Sequence, residues 1–388
     1  MENSLMNTYA PLSPIIEKGE GVYLYDTDGN KYLDFTSGIG VNSLGHNHPK
    51  WTKAVKKQVT TLAHCSNIFL NPVTVALSNK ITSLAGMSKV FFANSGAEAN
   101  EGAIKLARKY SYDKYGDGRN KILSLKSSFH GRTLATLKAT GQPEKFHKYF
   151  FPFPEGFDYV EANNIDEFKA MLTSDVCAVM MEAIQGEGGV HPLSKSFVRE
   201  VVNICNQKDI VVIFDEVQCG IARTGKLFGY NNFDVEADIV TVAKGLGAGL
   251  PIGAFLCNEK LSNVLNPGDH GTTFGGNPVV CAGASVVLDE ICNEETYKKV
   301  TEKGKLIKEE LKAAALPNII EVRGMGLMIG IEIDGDSSKV QKKAMKKGLF
   351  VLTAGPHVVR LLPPIVISKD EIKEGIKILI EVLSKEVK

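Results

Sequence analysis

Several features common in other protein classes are missing from this 388-residue chain, and each absence narrows its function. Lys plus Arg (45) and Asp plus Glu (44) nearly balance, so the charge favours neither nucleic acid nor an anionic membrane as a partner. No apolar run approaches the length of a membrane span, and the first residues lack the basic and apolar regions of a secretory signal. We therefore expect a soluble, cytosolic protein that acts on small molecules.

The cysteines argue against a disulfide framework and against a metal site. They are seven in number, widely scattered, and never form a CxxC pair. Such cysteines are typical of reduced core residues in a cytosolic protein. We expect neither disulfides nor a bound metal.

The remaining sequence indicates an α/β protein. Helical stretches alternate with short apolar strands from about residue 51, which predicts a mostly parallel sheet covered on both faces. The predicted strands are the apolar runs 90–93, 122–125, 178–181, 210–214 and 239–243. Residues 253–257 return too soon for a helical crossover and are predicted to be antiparallel.

The two ends of the chain have different patterns. Residues 22–25 and 31–33 flank an Asp- and Gly-containing turn and predict a hairpin. After a long helical region over 278–314, the run 319–333 is interrupted by glycines and followed by a helix, short strands and a terminal helix from Ser368. This C-terminal part is a second, smaller α+β unit.

Two polar residues stand where predicted buried strands end. Lys244 follows the run 239–243 and Asp215 follows the run 210–214, and open parallel sheets bind ligands beyond these strand ends. Burial lowers the pKa of a lysine and makes it a nucleophile that forms imines, whereas a buried carboxylate needs a cationic partner such as a protonated ring nitrogen. Each residue also has a simpler interpretation. Lys244 is then a solvated lysine at the end of a strand, and Asp215 is an aspartate that caps a helix or turn.

Two loops supply further groups. Ser95 and Glu98 have capping-box spacing, and Gly96 lets a ligand approach the start of a helix, where phosphate binds well. Phe129 and Arg132 offer an aromatic face and a guanidinium group suited to a carboxylate. Capping boxes are common and loop arginines are usually solvated, so neither loop is specific by itself.

Together these groups describe a pocket for pyridoxal 5′-phosphate. The glycines of 245–249 lack the order of a dinucleotide fingerprint, which argues against a nicotinamide-dependent oxidoreductase. The order of the motifs resembles that of the class III (subgroup II) aminotransferases, over nearly the whole chain. The matching segments are 94–100 (NSGAEAN), 129–133 (FHGRT), 182–187 (EAIQGE), 214–218 (FDEVQ), 243–245 (AKG) and 272–278 (TTFGGNP).

This resemblance implies a fold and a division into domains. The fold is that of the fold type I pyridoxal-phosphate-dependent transferases, an α/β architecture with a large domain and a smaller α+β domain. The expected parts are an N-terminal segment (1–50) that packs with the small domain, a large cofactor-binding domain (51–285) and a small domain (286–388).

The resemblance also implies how the cofactor is bound. Lys244 would hold it as an imine and shuttle a proton, while Asp215 would keep its ring nitrogen protonated. Thr273 would reach the phosphate in the neighbouring subunit, so a homodimer is expected. The full set of implied cofactor-binding residues is Ser95, Gly96, Ala97, Phe129, His130, Asp215, Gln218, Lys244 and Thr273.

A second implied set contacts the substrates: Tyr9, Ile39, Arg132, Glu182, Glu187 and Arg360. Arg132 would bind the carboxylate distal to the reacting nitrogen, and Arg360 the α-carboxylate of glutamate. Glu187 would pair with Arg360 when the donor has no carboxylate there. A purely structural ion pair between Glu187 and Arg360 is the alternative.

Several segments resemble the branch of this family that transfers the δ-amino group of N-acetylornithine to 2-oxoglutarate, giving N-acetylglutamate 5-semialdehyde and glutamate in arginine biosynthesis. Ile39 stands where ornithine-specific relatives carry a tyrosine, and an apolar residue there suits an acylated donor. Ornithine, succinylornithine, N-acyl-lysine and 4-aminobutyrate are alternative donors. A non-catalytic protein that binds the same cofactor is the alternative from another class.

Overall fold

The structure is a computed structural model that describes residues 4–385. It confirms the α/β class, and all of the predicted strands are present. The strands are β1 (Ile16–Glu20), β2 (Tyr23–Asp26), β3 (Lys31–Asp34), β4 (Lys89–Ala93), β5 (Lys121–Leu125), β6 (Phe157–Val160), β7 (Val176–Glu182), β8 (Ile184–Gln185), β9 (His191–Pro192), β10 (Val211–Asp215), β11 (Ile239–Val242), β12 (Gly253–Cys257), β13 (Ile319–Met325), β14 (Met328–Ile333), β15 (Leu349–Phe350), β16 (Leu352–Thr353) and β17 (Val358–Leu361).

Eleven helical segments accompany these strands in the described part of the chain, the first of them a single turn. They are α1 (Ser37–Gly40), α2 (Pro49–Thr61), α3 (Pro72–Ala85), α4 (Gly96–Tyr115), α5 (Leu134–Ala139), α6 (Ile165–Met171), α7 (Lys195–Lys208), α8 (Pro278–Ile291), α9 (Glu294–Ala313), α10 (Ser337–Lys346) and α11 (Lys369–Ser384). Short 3-10 turns occur at Glu144–Phe146, Gly229–Phe233, Lys244–Leu246 and Glu259–Leu261. Within residues 4–385, no helix combines the length and apolar character needed to cross a membrane.

A seven-stranded sheet forms the centre of the fold, in the order β4-β12-β11-β10-β7-β5-β6. Only β12 runs against its neighbours, pairing antiparallel with both β11 and β4. The prediction for residues 253–257 is therefore confirmed. Every residue of β7, β10, β11 and β12 is buried, as expected for continuous apolar strands with helices on both faces.

Two smaller sheets involve the C-terminal part of the chain. The predicted N-terminal hairpin of β2 and β3 is present, and β3 pairs in parallel with β15. The glycine-interrupted run 319–333 forms the antiparallel pair β13 and β14, which belongs to a sheet with β17 and β16. The domain boundaries stay a prediction, and the expected boundary at residue 285 falls inside α8.

The long helical region predicted over 278–314 is in fact two helices. Helix α8 ends at Ile291, and the side chain of Asn293 accepts a hydrogen bond from the Thr296 amide at the start of α9. Asparagine is a favoured residue at this capping position because its side chain satisfies an amide that has no partner within the helix. The helical pattern continues across the break, so periodicity did not reveal it.

Helix α9 carries a buried lysine. The amine of Lys303 donates a hydrogen bond to the Ile365 carbonyl at 2.9 Å, and the residue is only 9% exposed. Burial lowers the pKa of Lys303 from 10.5 to about 8, with a further contribution from Lys299. Protonating this amine is therefore less favourable in the folded protein than in the unfolded chain, although the amine still carries a charge at pH 7.

We predict that Lys303→Met raises the free energy of unfolding at pH 7, by about 1 kcal/mol, because it removes a poorly compensated buried charge. The folded-state pKa of about 8 lies below the ordinary 10.5, so the unfolded wild type binds the proton more tightly. The free energy of unfolding of the wild type should therefore rise as the pH increases from about 8 to 10.5. Over the same range, the difference in stability between Lys303→Met and the wild type should shrink. Urea denaturation at pH 7 and pH 10 measures both effects.

The control for this prediction is Lys305→Met, on the same helix with a side chain that is 75% exposed. It should show neither the gain in stability nor the pH dependence. A Lys303→Met protein that is less stable than wild type at pH 7 contradicts the prediction.

Candidate active site

The ends of three adjacent strands bring the central residues of the site together. Strands β7, β10 and β11 run in parallel, and Asp215 is in register with both Glu182 and Thr241. Lys244 begins the 3-10 turn that directly follows β11, with a φ of 39°. Because the strands are parallel, Glu182, Asp215 and Lys244 share one edge of the sheet.

A cavity of about 590 Å³ opens at this edge and collects most of the predicted site residues. Those in its wall are Tyr9, Ser95, Gly96, Ala97, Phe129, His130, Arg132, Glu182, Asp215, Gln218 and Lys244. A second cavity of about 590 Å³ shares Phe129 and Arg132 with the first and is also lined by Glu187. The two cavities therefore adjoin at the predicted carboxylate-binding arginine.

Asp215 has hydrogen-bond partners on both of its carboxylate oxygens. Its Oδ2 is 2.8 Å from the Nδ1 of His130 and accepts a bond of 2.8 Å from the Nδ2 of Asn100. Its Oδ1 accepts a bond from the Val217 amide at 3.0 Å. These contacts fix the orientation of a carboxylate that is only 3% exposed.

The sequence interpretation did not include Asn100 among the site residues. Its Nδ2 also donates to the His130 carbonyl at 2.7 Å, so it connects the two residues beside it. Asn100 lies one helical turn after Gly96 in α4, on the same face of the helix. That spacing, together with its place in the matching segment 94–100, was the available signal.

The amine of Lys244 has no hydrogen-bonding protein partner within residues 4–385. Burial is the main cause that lowers its pKa, and the positive charge of Arg360 acts in the same direction, while Glu187 and Asp215 oppose them. A larger share of the amine is therefore neutral near pH 7 than in an ordinary lysine. A neutral amine is the form that attacks a carbonyl.

Glu182 lies beside Asp215 and has a raised pKa. Burial, and then the charge of Asp215, raise the pKa of Glu182 well above its ordinary value. Its Oε2 accepts a bond from the Phe129 amide at 3.0 Å. The neutral, protonated form of Glu182 is therefore more favourable than in an ordinary glutamate.

The start of α4 presents open backbone amides to the cavity. The Oγ of Ser95 accepts a bond from the Glu98 amide at 3.1 Å, as the spacing predicted. The Glu98 carboxylate accepts a bond from the amide of Asn94, rather than from that of Ser95. The amides of Gly96 and Ala97 come before the first helical hydrogen bond and are available to an anion.

Arg132 lies between two aromatic rings. Its guanidinium carbon is 5.0 Å from the centre of the Phe129 ring and 5.2 Å from that of Phe146. Residues 4–385 provide it with no acidic partner. Two cation–π contacts thus orient the group while its N–H donors stay free for a carboxylate.

Glu187 and Arg360 form an ion pair, which both interpretations of the sequence include. The Nη1 of Arg360 is 2.7 Å from the Oε1 of Glu187 and also donates to the Oε1 of Gln218 at 3.0 Å. Burial alone would raise the pKa of Glu187, but Arg360 and Lys244 outweigh it and the pKa is lowered. The Nε of Arg360 is buried and has no partner in the described residues.

Besides Glu187 and Arg360, two predicted site residues lie outside the wall of the first cavity in their own chain. Ile39 is 43% exposed, and Val41 lines the cavity in its place. Thr273 is exposed, on a loop that Asn67 and Asn94 attach to the body of the protein. Tyr9 reaches the cavity wall although it is 88% exposed.

This fold and site define a class of protein. A lysine with a lowered pKa, a fixed buried acid and a helix start with open amides meet at one edge of a parallel sheet. That combination defines an imine-forming α/β enzyme with a site for an anionic cofactor.

The chain belongs to the class-III aminotransferase family, whose family model matches residues 5–383, and it is an aminotransferase. The acetylornithine aminotransferase of Caldanaerobacter subterraneus subsp. tengcongensis is 49% identical over 384 residues, covering 98% of this chain and 97% of the relative.

Solved structures give the same result for the fold. An ornithine aminotransferase from Toxoplasma gondii superposes with a TM-score of 0.94 at 31% identity, covering 98% of this chain and 92% of its own. The N-acetylornithine aminotransferase of Stenotrophomonas maltophilia superposes with a TM-score of 0.85 at 34% identity, covering 97% and 96%. The predicted family and fold are therefore confirmed.

Proposed function

We propose that this protein transfers the δ-amino group of N-acetylornithine to 2-oxoglutarate, with pyridoxal 5′-phosphate as its cofactor, and forms N-acetylglutamate 5-semialdehyde and glutamate. The observation that carries this proposal is the Glu187–Arg360 pair beside the cavity that holds Lys244. A cytosolic location is part of the proposal, and it is supported by seven cysteines that are all free.

The residues of the site fit the proposed cofactor. The free amides of Gly96 and Ala97 suit a phosphate, and the face of Phe129 suits a planar ring. Asp215 accepts hydrogen bonds on both oxygens and lies beside Glu182, whose pKa is raised, so its carboxyl group suits a protonated ring nitrogen. When bound, the cofactor supplies an electron-withdrawing ring that stores the amino group between the two half-reactions.

The chain's own residues then carry out the proton transfers and the positioning. The Nζ of Lys244 removes the proton from the amine-bearing carbon, because its lowered pKa leaves it partly neutral. Asp215 keeps positive charge on the ring nitrogen, and His130 and Asn100 keep Asp215 in place.

The pair of arginines explains how one pocket accepts two different substrates. Arg132 binds the carboxylate distal to the reacting nitrogen in both N-acetylornithine and glutamate. Arg360 binds the α-carboxylate that only glutamate places near Lys244. During the other half-reaction Glu187 pairs with Arg360, which avoids a buried unpaired charge.

The choice of N-acetylornithine over ornithine is supported by the sequence relatives, whose printed name is acetylornithine aminotransferase. The ornithine aminotransferase of T. gondii has the higher TM-score but only 31% identity. Ile39 is an apolar residue in a position suited to an acylated donor. A panel of donors with 2-oxoglutarate, compared by kcat/KM, tests the choice among N-acetylornithine, succinylornithine, ornithine, N-acyl-lysine and 4-aminobutyrate.

A homodimer is also part of the proposal. The apolar residues Ile68, Phe69 and Leu70 are 85%, 67% and 89% exposed, and Phe274 is 62% exposed. Asn67 ties their two loops together through hydrogen bonds to the carbonyls of residues 272 and 275. The resulting apolar surface carries Thr273 and suits a second copy of the chain.

Our first prediction concerns the cofactor. After incubation with pyridoxal 5′-phosphate and removal of the free cofactor by gel filtration, wild-type protein should stay yellow and Lys244→Ala should lose most of the colour, because the imine needs this amine. Borohydride reduction followed by mass spectrometry should place the added mass on Lys244. Lys226→Ala, an exposed lysine outside the cavity, serves as the control, and equal visible absorbance in Lys244→Ala contradicts the assignment.

A second prediction concerns Arg132. Arg132→Ala should raise KM for both N-acetylornithine and 2-oxoglutarate, by about tenfold or more, because both place a carboxylate on this guanidinium. A simple alkylamine without a carboxylate provides the control substrate, and its rate should change little. Unchanged KM values for both carboxylate substrates would remove Arg132 from the site.

A third prediction separates the two half-reactions. Glu187→Ala should slow the single-turnover reaction with N-acetylornithine by about tenfold and affect the reaction with glutamate much less, because only the first leaves Arg360 unpaired. Stopped-flow absorbance measures both. An equal loss in the two half-reactions supports a purely structural ion pair instead.

A further inference from the structure

An unusual turn lies between the two halves of the site. In α1, the four residues Ser37 to Gly40 all have positive φ values, of 48°, 61°, 68° and 76°. Glycine adopts this left-handed region readily, but Ile39 is β-branched and adopts it only at an energetic cost. The contacts around the turn must therefore hold it in place.

Asp34 supplies those contacts. Its side chain is fully buried, and its Oδ1 accepts bonds from the Thr36 amide (2.8 Å), the Thr36 hydroxyl (2.6 Å) and the Ser37 amide (3.0 Å). Its Oδ2 is 2.9 Å from the Nε2 of His46. One carboxylate thus connects the chain before the turn to the chain after it.

On one side the turn is attached to the strand that carries Arg360. The hydroxyl of Ser37 donates to the Leu362 carbonyl at 2.6 Å, and the Leu362 amide donates to the Phe35 carbonyl at 2.8 Å. Leu362 lies two residues after Arg360, directly beyond the end of β17. The position of the guanidinium group is therefore linked to the turn.

On the other side the turn is attached to the loop that carries Lys244. The hydroxyl of Ser43 donates to the carbonyl of Gly245, the next residue after Lys244, at 2.7 Å. Val41, at the end of the turn, forms part of the cavity wall with Lys244. The same short segment therefore contacts both of the groups that must act on one substrate.

We propose that Asp34 is a positioning residue that sets the separation between the Lys244 amine and the Arg360 guanidinium through the turn that it holds. This inference rests on the proposed function. Glutamate must place its nitrogen at Lys244 and its α-carboxylate on Arg360 together, whereas N-acetylornithine does not use Arg360. A loosened turn impairs the glutamate half-reaction more than the N-acetylornithine half-reaction.

The test uses Asp34→Asn in the cofactor-loaded enzyme. The single-turnover rate with glutamate should fall at least about tenfold relative to the rate with N-acetylornithine, as expected for the loss of one or two buried charge-assisted hydrogen bonds. The decisive quantity is the half-reaction ratio, which is the single-turnover rate with glutamate divided by the rate with N-acetylornithine. A general loss of stability lowers both rates together and leaves this ratio unchanged.

The chain offers a matched control in Asp26→Asn. Asp26 is also buried and accepts four hydrogen bonds, from the amides of Asp28 and Asn30 and from the side chains of Asn30 and Tyr32. It lies in the neighbouring hairpin, and its side chain makes no hydrogen bond to residues 245 or 362 within residues 4–385. This variant should lose stability but keep the half-reaction ratio within about twofold.

A binding measurement tests the role of the turn without relying on turnover. It also applies if Asp34→Asn fails to fold. Glutarate carries two carboxylates at nearly the spacing in glutamate, so it bridges Arg132 and Arg360. Calorimetry on the loaded enzyme should show a glutarate Kd several-fold higher in Ser37→Ala, which lacks only the bond to the Leu362 carbonyl, than in wild type or Asp26→Asn.

The outcomes distinguish a failure of the positioning role of Asp34 from a failure of the proposed function. An unchanged glutarate Kd in Ser37→Ala, or an equal shift of the half-reaction ratio in Asp34→Asn and Asp26→Asn, overturns the inference. A wild-type enzyme that transfers no amino group contradicts the proposed function instead, and the glutarate comparison then decides the role of the turn.

Discussion

The structure of the site depends on how buried charges are balanced at one edge of the parallel sheet. Glu182 and Asp215 are adjacent in register, and two ionised carboxylates so close together in a buried position would repel each other. Burial and the charge of Asp215 favour the protonated form of Glu182, while hydrogen-bond donors on both oxygens hold Asp215 in place. In the proposed function, the carboxyl group of Asp215 would then face the cationic ring nitrogen of the cofactor.

The charges farther from the sheet edge, around Lys244 and Arg360, are balanced in a similar way. Lys244 lies between the negative charges of Asp215 and Glu187 and the positive charge of Arg360, and burial shifts it toward the neutral form. Glu187 stays ionised because Arg360 is beside it. In the proposed function, a substrate that brings its own carboxylate would replace Glu187 on Arg360, so the charge of the pocket would change little between the two half-reactions.

The sequence predicted the parts of the molecule that are local in the chain. Apolar runs showed the strands, and the polar residue after each run identified Lys244 and Asp215. Contacts between distant segments were not predictable in this way, because no pattern in one segment records its partner. The Phe146 ring on Arg132 and the bonds from Ser37 and Ser43 to residues 362 and 245 belong to this group. Asn100 lies between these two cases. The sequence shows its helical spacing from Gly96, but it does not show its hydrogen bond to Asp215.

The antiparallel strand β12 has a consequence for the order of folding. Strand β4 is at the edge of the central sheet and pairs only with β12, so Ala93 meets Gly253, 160 positions later (253 minus 93). Closing such a long loop is entropically unfavourable until the intervening strands have formed. Helix α4 follows directly from β4, so we expect it to reach its final position only when β12 has formed. The amides of Gly96 and Ala97, which we propose bind the phosphate, would therefore be placed late in folding, although they precede most strands of the central sheet in the sequence.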